Sequence, residues 1–405
     1  MNILFLANKV PWPLKDGGAI GTFNLAYGLH LNGCNVSILA MNTSKHPVDA
    51  EDIPTEIREK LKIDIVNINT DLRFSSLIKN LIFSRKPYIA ERFESDKFKE
   101  KLKHYLQTKK IDIVILEILY MGTYIPVIRE YSNAHISFHA PNIEHEIWQH
   151  IAKHEKNPFK KLYLNILSRR ISRMESDLIN SYDSLVPVSE INAATYRQKG
   201  VNVPVFVANI GVFFDKTDRY IQNHNKANEN LSFAYIGALD WIPNLEGLVW
   251  FLKRVWPDVH KNCPGIKFYI AGRNAPEKIR EICNKPGIEY LGEVTDAYKF
   301  ILSKSIMVVP LLSGSGMRVK IIESLALKKA IVSTSVGVEG INLFNNKHIR
   351  IEDDPKAFAR ACVELCKDKN KRISLGEAGS QMVREHYDNL KICKSLKSFY
   401  QDILK

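Results

Sequence analysis

The chain has 405 residues, 45% hydrophobic and 25% charged, an ordinary globular composition that excludes a disordered or fibrous polypeptide and leaves room for two domains. No apolar run reaches the ~18 residues of a membrane span, and the apolar stretch in "MNILFLANKVPW" is too short for a secretory leader; the expectation is a cytoplasmic protein, at most at the inner face of a membrane. A formal charge of +13 asks for an anionic partner: a nucleotide, a nucleic acid or an acidic membrane surface.

In chain order, "NILFLA" (2 to 7) reads as a strand, followed by a glycine-bearing turn, a helix around 19 to 32 and a second strand, "NVSILA" (35 to 40). Further apolar runs follow at "IDIVILE" (111 to 117), "HISFHA" (135 to 140) and "SLVPVS" (184 to 189). Continuous apolar strands separated by helices indicate a parallel sheet covered on both faces. Between the last two runs, "KKLYLNILSRRISRMES" from Lys160 sets Leu162, Ile166, Arg169, Arg170 and Arg173 at helical spacing, giving an apolar stripe with a basic flank. This helix, near 160–174, is either a solvated face or a point of contact with an anionic membrane. The polar stretch "DKTDRYIQNHNKANEN" (215 to 230) reads as an interdomain linker.

A second alternating series follows: "LSFAYIGAL" (231 to 239), a helical pattern through Trp250 and Phe251, "KFYIAG" (267 to 272), "EYLGEV" (289 to 294), "IMVVPL" (306 to 311) and "AIVSTS" (330 to 335). The expected class is α/β, with two Rossmann-like doubly wound domains facing a central cleft: residues 1–214, the linker 215–230, and residues 231–384. Sheets of this kind bind ligands beyond the carboxyl ends of their strands. A helical stretch from about 373 to 404 closes the chain. Cys34, Cys263, Cys283, Cys362, Cys366 and Cys393 form no C-x-x-C pair, and buried or free thiols are expected rather than a metal site.

The stretch "SGSGMRVKIIESLAL" carries the strongest chemical signal. Val319, Ile322, Leu325 and Ala326 fit a helical stripe behind a glycine-rich turn, and such a turn lets a ligand approach a helix N-terminus with its unpaired N–H groups. Arg318 and Lys320 disfavour that terminus by about a few tenths of a kcal/mol each, so an anion would justify them. Glu323, three residues after Lys320, is placed to accept hydrogen bonds from ribose hydroxyls or to pair with that lysine. Near the N-terminus Gly17 and Gly18 sit between strand and helix, outside both the G-x-G-x-x-G and the G-x-x-x-x-G-K-[ST] patterns. His139 ends a strand, where an open sheet presents its functional groups, while Glu144 and His145 begin the next helix. His150 and His154 stand four apart without a third metal ligand.

Taken in order, "PWPLKDGGA", "HAPNIEHEIW", "LVPVSEINAATYRQKG", "VANIGVFFD", "YIGALDWIPNLEGLVWFL", "FYIAGR", "IEYLGEV" and "PLLSGSGMRVKIIESLALKKAIVSTSVGVEGI" resemble the retaining GT-B glycosyltransferases of the family 4, or group 1, type across nearly the whole chain. The resemblance implies a hexosyltransferase whose nucleotide-sugar donor binds the second domain and whose carbohydrate or lipid-linked acceptor binds the first. It also implies that a C-terminal helix, about 385–405, crosses back to the first domain. Carried over by position, Arg318 and Lys320 meet the diphosphate, Gly314 and Gly316 permit its approach, and Glu323 holds the ribose. Gly237, Gly272, Arg273, Ser315 and Met317 complete the donor side, and Glu293 and Val294 lie at the nucleobase. Gly17 and Gly18 close on the diphosphate from the other domain, and His139 lies against the transferred sugar as a catalytic group. The nucleoside-diphosphate sugar is a co-substrate; no cofactor, metal or nucleic acid is implied.

Three departures stand out. Ser315 occupies the place of the first of two glutamates eight apart. The basic pair usual after the first strand of the second domain is replaced by Asp240 and Asn244, with Arg318 and Lys320 as possible substitutes. Pro141 precedes Asn142 where relatives read "AHN-E". A nucleotide-sugar epimerase of the same architecture and a non-catalytic carbohydrate-binding homologue are the alternative readings.

Overall fold

The computed structural model describes residues 1–224, 231–283, 285–314 and 316–405. They form two compact units, Met1–Ile210 with Asn389–Lys405, and Gly211–Asp388.

The first unit is built on six parallel strands, β1 (Asn2–Ala7), β2 (Asn35–Thr43), β3 (Ile63–Ile68), β4 (Ile113–Glu117), β5 (His135–Ala140) and β6 (Ser184–Pro187), in the order β3-β2-β1-β4-β5-β6. Alternation along β1 divides its core. Ile3 and Phe5 face one cluster with Leu29, Cys393 and Tyr400, while Leu4 and Leu6 face another with Phe98, Ile128 and Leu167. Both faces are therefore covered, which is why the strands read as continuous apolar runs. β3 escaped the sequence reading because Asp64 and Asn67 interrupt its apolar pattern at the sheet edge.

Asp16 starts the helix Gly17–Leu31 by accepting from the Ala19 N–H at 3.0 Å. The helix Asn389–Ile403 packs on it where Gly28 leaves room; a Cβ there would lie 2.4 Å from the Cys393 sulfur. The single helix expected over 373–404 is in fact two, Lys369–His386 and Asn389–Ile403. The break falls where the Tyr387 carbonyl accepts from the Val212 N–H at 2.9 Å instead of from a further helical turn.

The second unit repeats the plan with β7 (Ser232–Ile236), β8 (Lys267–Ala271), β9 (Ile288–Gly292), β10 (Ile306–Val309), β11 (Ala330–Ser333) and β12 (Arg350–Ile351). Their order is β12-β11-β10-β7-β8-β9, the same rank order as in the first unit, and all pairings are parallel. The strand expected over 306–311 stops at Val309, because Pro310 has no N–H to continue the ladder. The expected linker is also corrected: Phe214–Gln222 is a helix, with Thr217 fully buried, Asp218 paired to Arg384 at 2.5 Å and the Arg384 guanidinium 4.2 Å from the Phe214 ring. Its buried face outweighs its polar composition; residues 225–230 of that stretch lie outside the described residues.

In each sheet the strand order reverses between two neighbours, β1 and β4 in one and β7 and β10 in the other. Crossovers leave such a pair in opposite directions and open a crevice at their carboxyl ends.

Candidate functional site

At the reversal of the second sheet, β7 runs into Gly237, whose N–H donates to the Ala271 carbonyl at 3.1 Å. Gly272, after β8, lies so close that a Cβ would stand 2.1 Å from the Gly237 carbonyl oxygen. The bare backbone leaves a hollow, and Lys320 enters it from the helix Val319–Ala326: a Cβ at Gly237 would lie 2.6 Å from the lysine Nζ. That Nζ donates to Asn244 Oδ1 at 3.2 Å and sits 4.7 Å from the Tyr235 ring centroid. Asn244 donates its own amide to the Ala238 carbonyl at 2.8 Å, which turns its oxygen toward the lysine. Burial, followed by the like charge of Arg318, pushes the ammonium down to about 7.

Arg318 precedes this helix, and its Nη1 donates to the Gly316 carbonyl. Burial depresses its proton affinity, opposed by the charge of Glu339. Gly314 and Gly316 take φ of 105° and 85°, left-handed values that favour glycine. A Cβ at Gly314 would lie 3.2 Å from Arg318 Nη2, and Met317 is buried. Ser315 lies outside the described residues.

One turn on, Glu323 and Lys320 diverge, so their i,i+3 spacing produces no ion pair among the described residues. Glu323 accepts instead from the Tyr298 hydroxyl, and burial raises its carboxyl to about 7 against that bond and the charge of Lys216. Tyr298 is fixed by the helix Ala297–Leu302, where the Asp296 carboxylate accepts from the Tyr298 and Lys299 N–H groups at 3.0 and 3.1 Å. Glu293 and Val294 follow β9 at the rim, the first exposed and the second half-buried. Arg273 follows Gly272, with its carbonyl accepting from the Leu239 N–H at 2.9 Å.

In the first unit the reversal gathers a different set. His139, on β5, is in register with Glu117, the last residue of β4, and its Nδ1 lies 3.0 Å from both carboxylate oxygens. Glu117 also accepts from the Thr22 hydroxyl at 3.0 Å, which ties the pair to the helix Gly17–Leu31. An ionised carboxylate only accepts, so Nδ1 carries the proton and Nε2 is the nitrogen left for a ligand. Ile118, immediately after Glu117, adopts φ 71°, a conformation costing on the order of 1–3 kcal/mol for a β-branched residue. Its N–H donates to the His139 carbonyl at 3.3 Å.

Gly17 and Gly18 are exposed at the helix start, beside the 2.5 Å ion pair of Lys9 and Asp16. Elsewhere in this unit Glu144 accepts from the Tyr120 hydroxyl at 3.0 Å, and burial raises its carboxyl to about 7. His145 lies 2.7 Å from Glu175, which also binds Lys199 at 2.5 Å. The His150 and His154 rings are 4.3 Å apart, and no metal-binding cluster occurs among the described residues.

Residues 230–368 match the family model described as Glycosyl transferases group 1. The whole chain matches the fold of sucrose-phosphate synthase from Thermosynechococcus elongatus, with a TM-score of 0.68, 14% identity and coverage of 100% of this chain and 99% of that one. The chain has the GT-B fold, and its second unit resembles the group 1 glycosyl transferases. HepE of Anabaena, solved with UDP and glucose, shares the fold with a TM-score of 0.69 at 12% identity over 99% of this chain and all of that one. A Klebsiella pneumoniae protein described as an uncharacterized 44.6 kDa protein in the cps region is 26% identical over 408 residues, 97% of this chain and 98% of its own.

Within this fold, the described residues picked from sequence in the second unit fall around one sheet reversal, with Glu293 and Val294 at the end of outer strand β9. His139 ends β5 in the first unit, and Gly17 and Gly18 begin the helix that Thr22 ties to Glu117. Sequence reasoning missed Glu117, Thr22, Tyr235 and Tyr298. The available signal was an acid ending an apolar strand, "IDIVILE", and an aromatic two residues after a helix-capping aspartate.

Proposed function

We propose that the protein is a glycosyltransferase that moves a hexose from a nucleoside-diphosphate donor to an acceptor hydroxyl, with retention at the anomeric carbon and without a metal ion. Assembly of a cell-surface polysaccharide or glycolipid is the proposed setting, consistent with the cps-region relative. The observation that carries the reading is Lys320. It is an ammonium lodged against bare backbone at Gly237, with a depressed proton affinity and a second cation, Arg318, as its charged neighbour.

As the bond from the anomeric carbon to the diphosphate oxygen breaks, negative charge gathers on the leaving group. Lys320, Arg318 and the helix N-terminus are placed to receive that charge. Two preorganised cations can serve where other enzymes use a divalent ion. Glu323 in its ionised form accepts from the ribose hydroxyls, with Tyr298 orienting the carboxylate, while Glu293 and Val294 meet the base. Gly17 and Gly18 approach the diphosphate with backbone alone. His139, held by Glu117, presents Nε2 to the sugar and contributes no covalent step. Complexes of HepE with UDP-glucose support a uridine nucleotide as the first donor to test.

The test is thermal stabilisation by UDP-, GDP- and ADP-sugars, followed by transfer assays on the stabilising donor. Arg318→Ala/Lys320→Ala should lose both stabilisation and turnover; unchanged kinetics in the double variant would sink the assignment. Interconversion of the donor sugar without an acceptor would instead identify an epimerase.

A further inference from the structure

The helix Phe74–Phe83 carries two apolar faces where a surface helix needs one. Leu77 and Leu81 turn toward the protein, while Phe74, Ile78 and Ile82, at i, i+4 and i+8, form an outward ridge ending at Phe83. Phe74 is 77% exposed and Phe83 81%. The start of the helix Pro158–Leu178 adds Phe159, 83% exposed, and Leu162. The two helices are tied together, since Arg170 donates to the Asn80 and Leu81 carbonyls at 3.3 and 2.9 Å. Six exposed apolar side chains share these two joined helices, four of them on the first, and an exposed apolar ridge of this kind marks an interaction site.

The charge around this ridge is predominantly positive. Residues 72–86 contain Arg73, Lys79, Arg85 and Lys86 and no acid, and the neighbouring helix adds Lys160, Lys161, Arg169 and Arg173 along its exposed side. Lys86 and Lys160 pair with Glu94 and Glu155, whereas the other six cations form no ion pair among the described residues. Arg170, grouped with the basic flank in the sequence reading, is turned inward, and Ile166 is half-buried. The outward surface of the Lys160 helix is therefore cationic with an apolar tip, and the lipophilic ridge is supplied by the helix before it.

We propose that this surface docks the protein on an anionic lipid bilayer, with Phe74, Ile78, Ile82 and Phe83 entering the headgroup boundary and the surrounding lysines and arginines meeting lipid phosphates. A ridge of aromatic and aliphatic side chains bordered by cations is the chemistry of an interfacial helix, and acidic lipid is the complement of a rim in which six cations stand unpaired among the described residues. The proposal is independent of the transferase reading, since binding to a bilayer needs neither donor nor acceptor.

The experiment is co-sedimentation of the full chain with vesicles of phosphatidylcholine alone and of phosphatidylcholine mixed with phosphatidylglycerol. Binding should appear on the mixed vesicles and weaken with salt, each lost cation costing about fivefold. Ile78→Asn/Ile82→Asn should reduce binding about tenfold or more, and Lys161→Glu/Arg169→Glu/Arg173→Glu should reduce it at least as much. All five positions are exposed except for partly covered stems, so the melting temperature should hold in both variants, and each serves as a check on the other. Absence of binding to phosphatidylglycerol vesicles at low salt overturns the proposal. So does equal binding by wild type and both variants, or a concentration-dependent dimer that covers Phe74 and is abolished by Ile78→Asn/Ile82→Asn.

Discussion

The two sheet reversals share one topology and hold opposite electrostatics. At β4 and β5 the set is closed: His139 and Thr22 both donate to Glu117, so the carboxylate is hydrogen-bonded on site. At β7 and β10 it is open, because the charged neighbour of Lys320 is Arg318 and its hydrogen-bond acceptor is the neutral Asn244. A closed set is stable without a ligand and suits a group that must be held in one orientation. An open set carries a desolvation cost that an arriving anion relieves, which suits the donor-binding role proposed for it.

The largest effect that would break this contrast is expected from Lys320→Met. Donor affinity should fall about 100-fold, as expected for losing a charge-assisted contact to phosphate, while the ligand-free protein becomes more stable. The sign follows from the lysine's value of about 7 in the folded chain against 10.5 ordinarily. The unfolded chain binds more protons between those values, so wild-type stability gains with pH across that window. The variant's advantage should be full below pH 7 and gone by pH 10.5, as read by urea unfolding at several pH values. An advantage that does not shrink with pH would mean Lys320 is not the strained cation described.

Glu117→Gln probes the closed set and should act on turnover alone. The amide can offer Nδ1 a donor where it needs an acceptor, which loosens the histidine's tautomer and orientation. Turnover should drop by on the order of 10²-fold with donor affinity within about twofold of wild type, measured by calorimetry beside steady-state kinetics. A matching loss in donor affinity would place the first-unit set in donor binding and erase the distinction.

Sequence patterns exposed the parallel strands and the second-unit turn because both are local. Five successive buried residues in β4, or two glycines before Arg318, announce themselves within ten positions. The partnerships are not local: Asn244 lies 76 positions from Lys320, and Thr22 lies 95 from Glu117. Glu117 looked like the polar end of a strand until the β4–β5 register set it beside His139. The helix Phe214–Gln222 was hidden by polar composition, since Phe214 and Thr217 alone supply its buried face. The Lys320–Glu323 pairing suggested by spacing was lost to Tyr298, whose position depends on a different helix.

Tyr298→Phe should produce the smallest effect, and it sharpens the open site by dividing its two titrations. The proposed donor site needs Lys320 protonated and Glu323 ionised, and both groups sit at about 7, so donor affinity should peak near that pH and decline on either side. The alkaline decline belongs to the lysine and the acid decline to the glutamate. Tyr298 donates to the ionised carboxylate and opposes the rise caused by burial; removing the hydroxyl should lift Glu323 further and move the acid limb upward while leaving the alkaline limb in place. At pH 6 the loss in affinity should be about two- to fivefold, in keeping with one hydrogen bond. Calorimetric titration across the pH range separates the limbs. Movement of both would show the two groups titrating as one coupled unit, and movement of neither would remove Glu323 from the ribose contact and leave Lys320 and Arg318 as the charge that selects the donor.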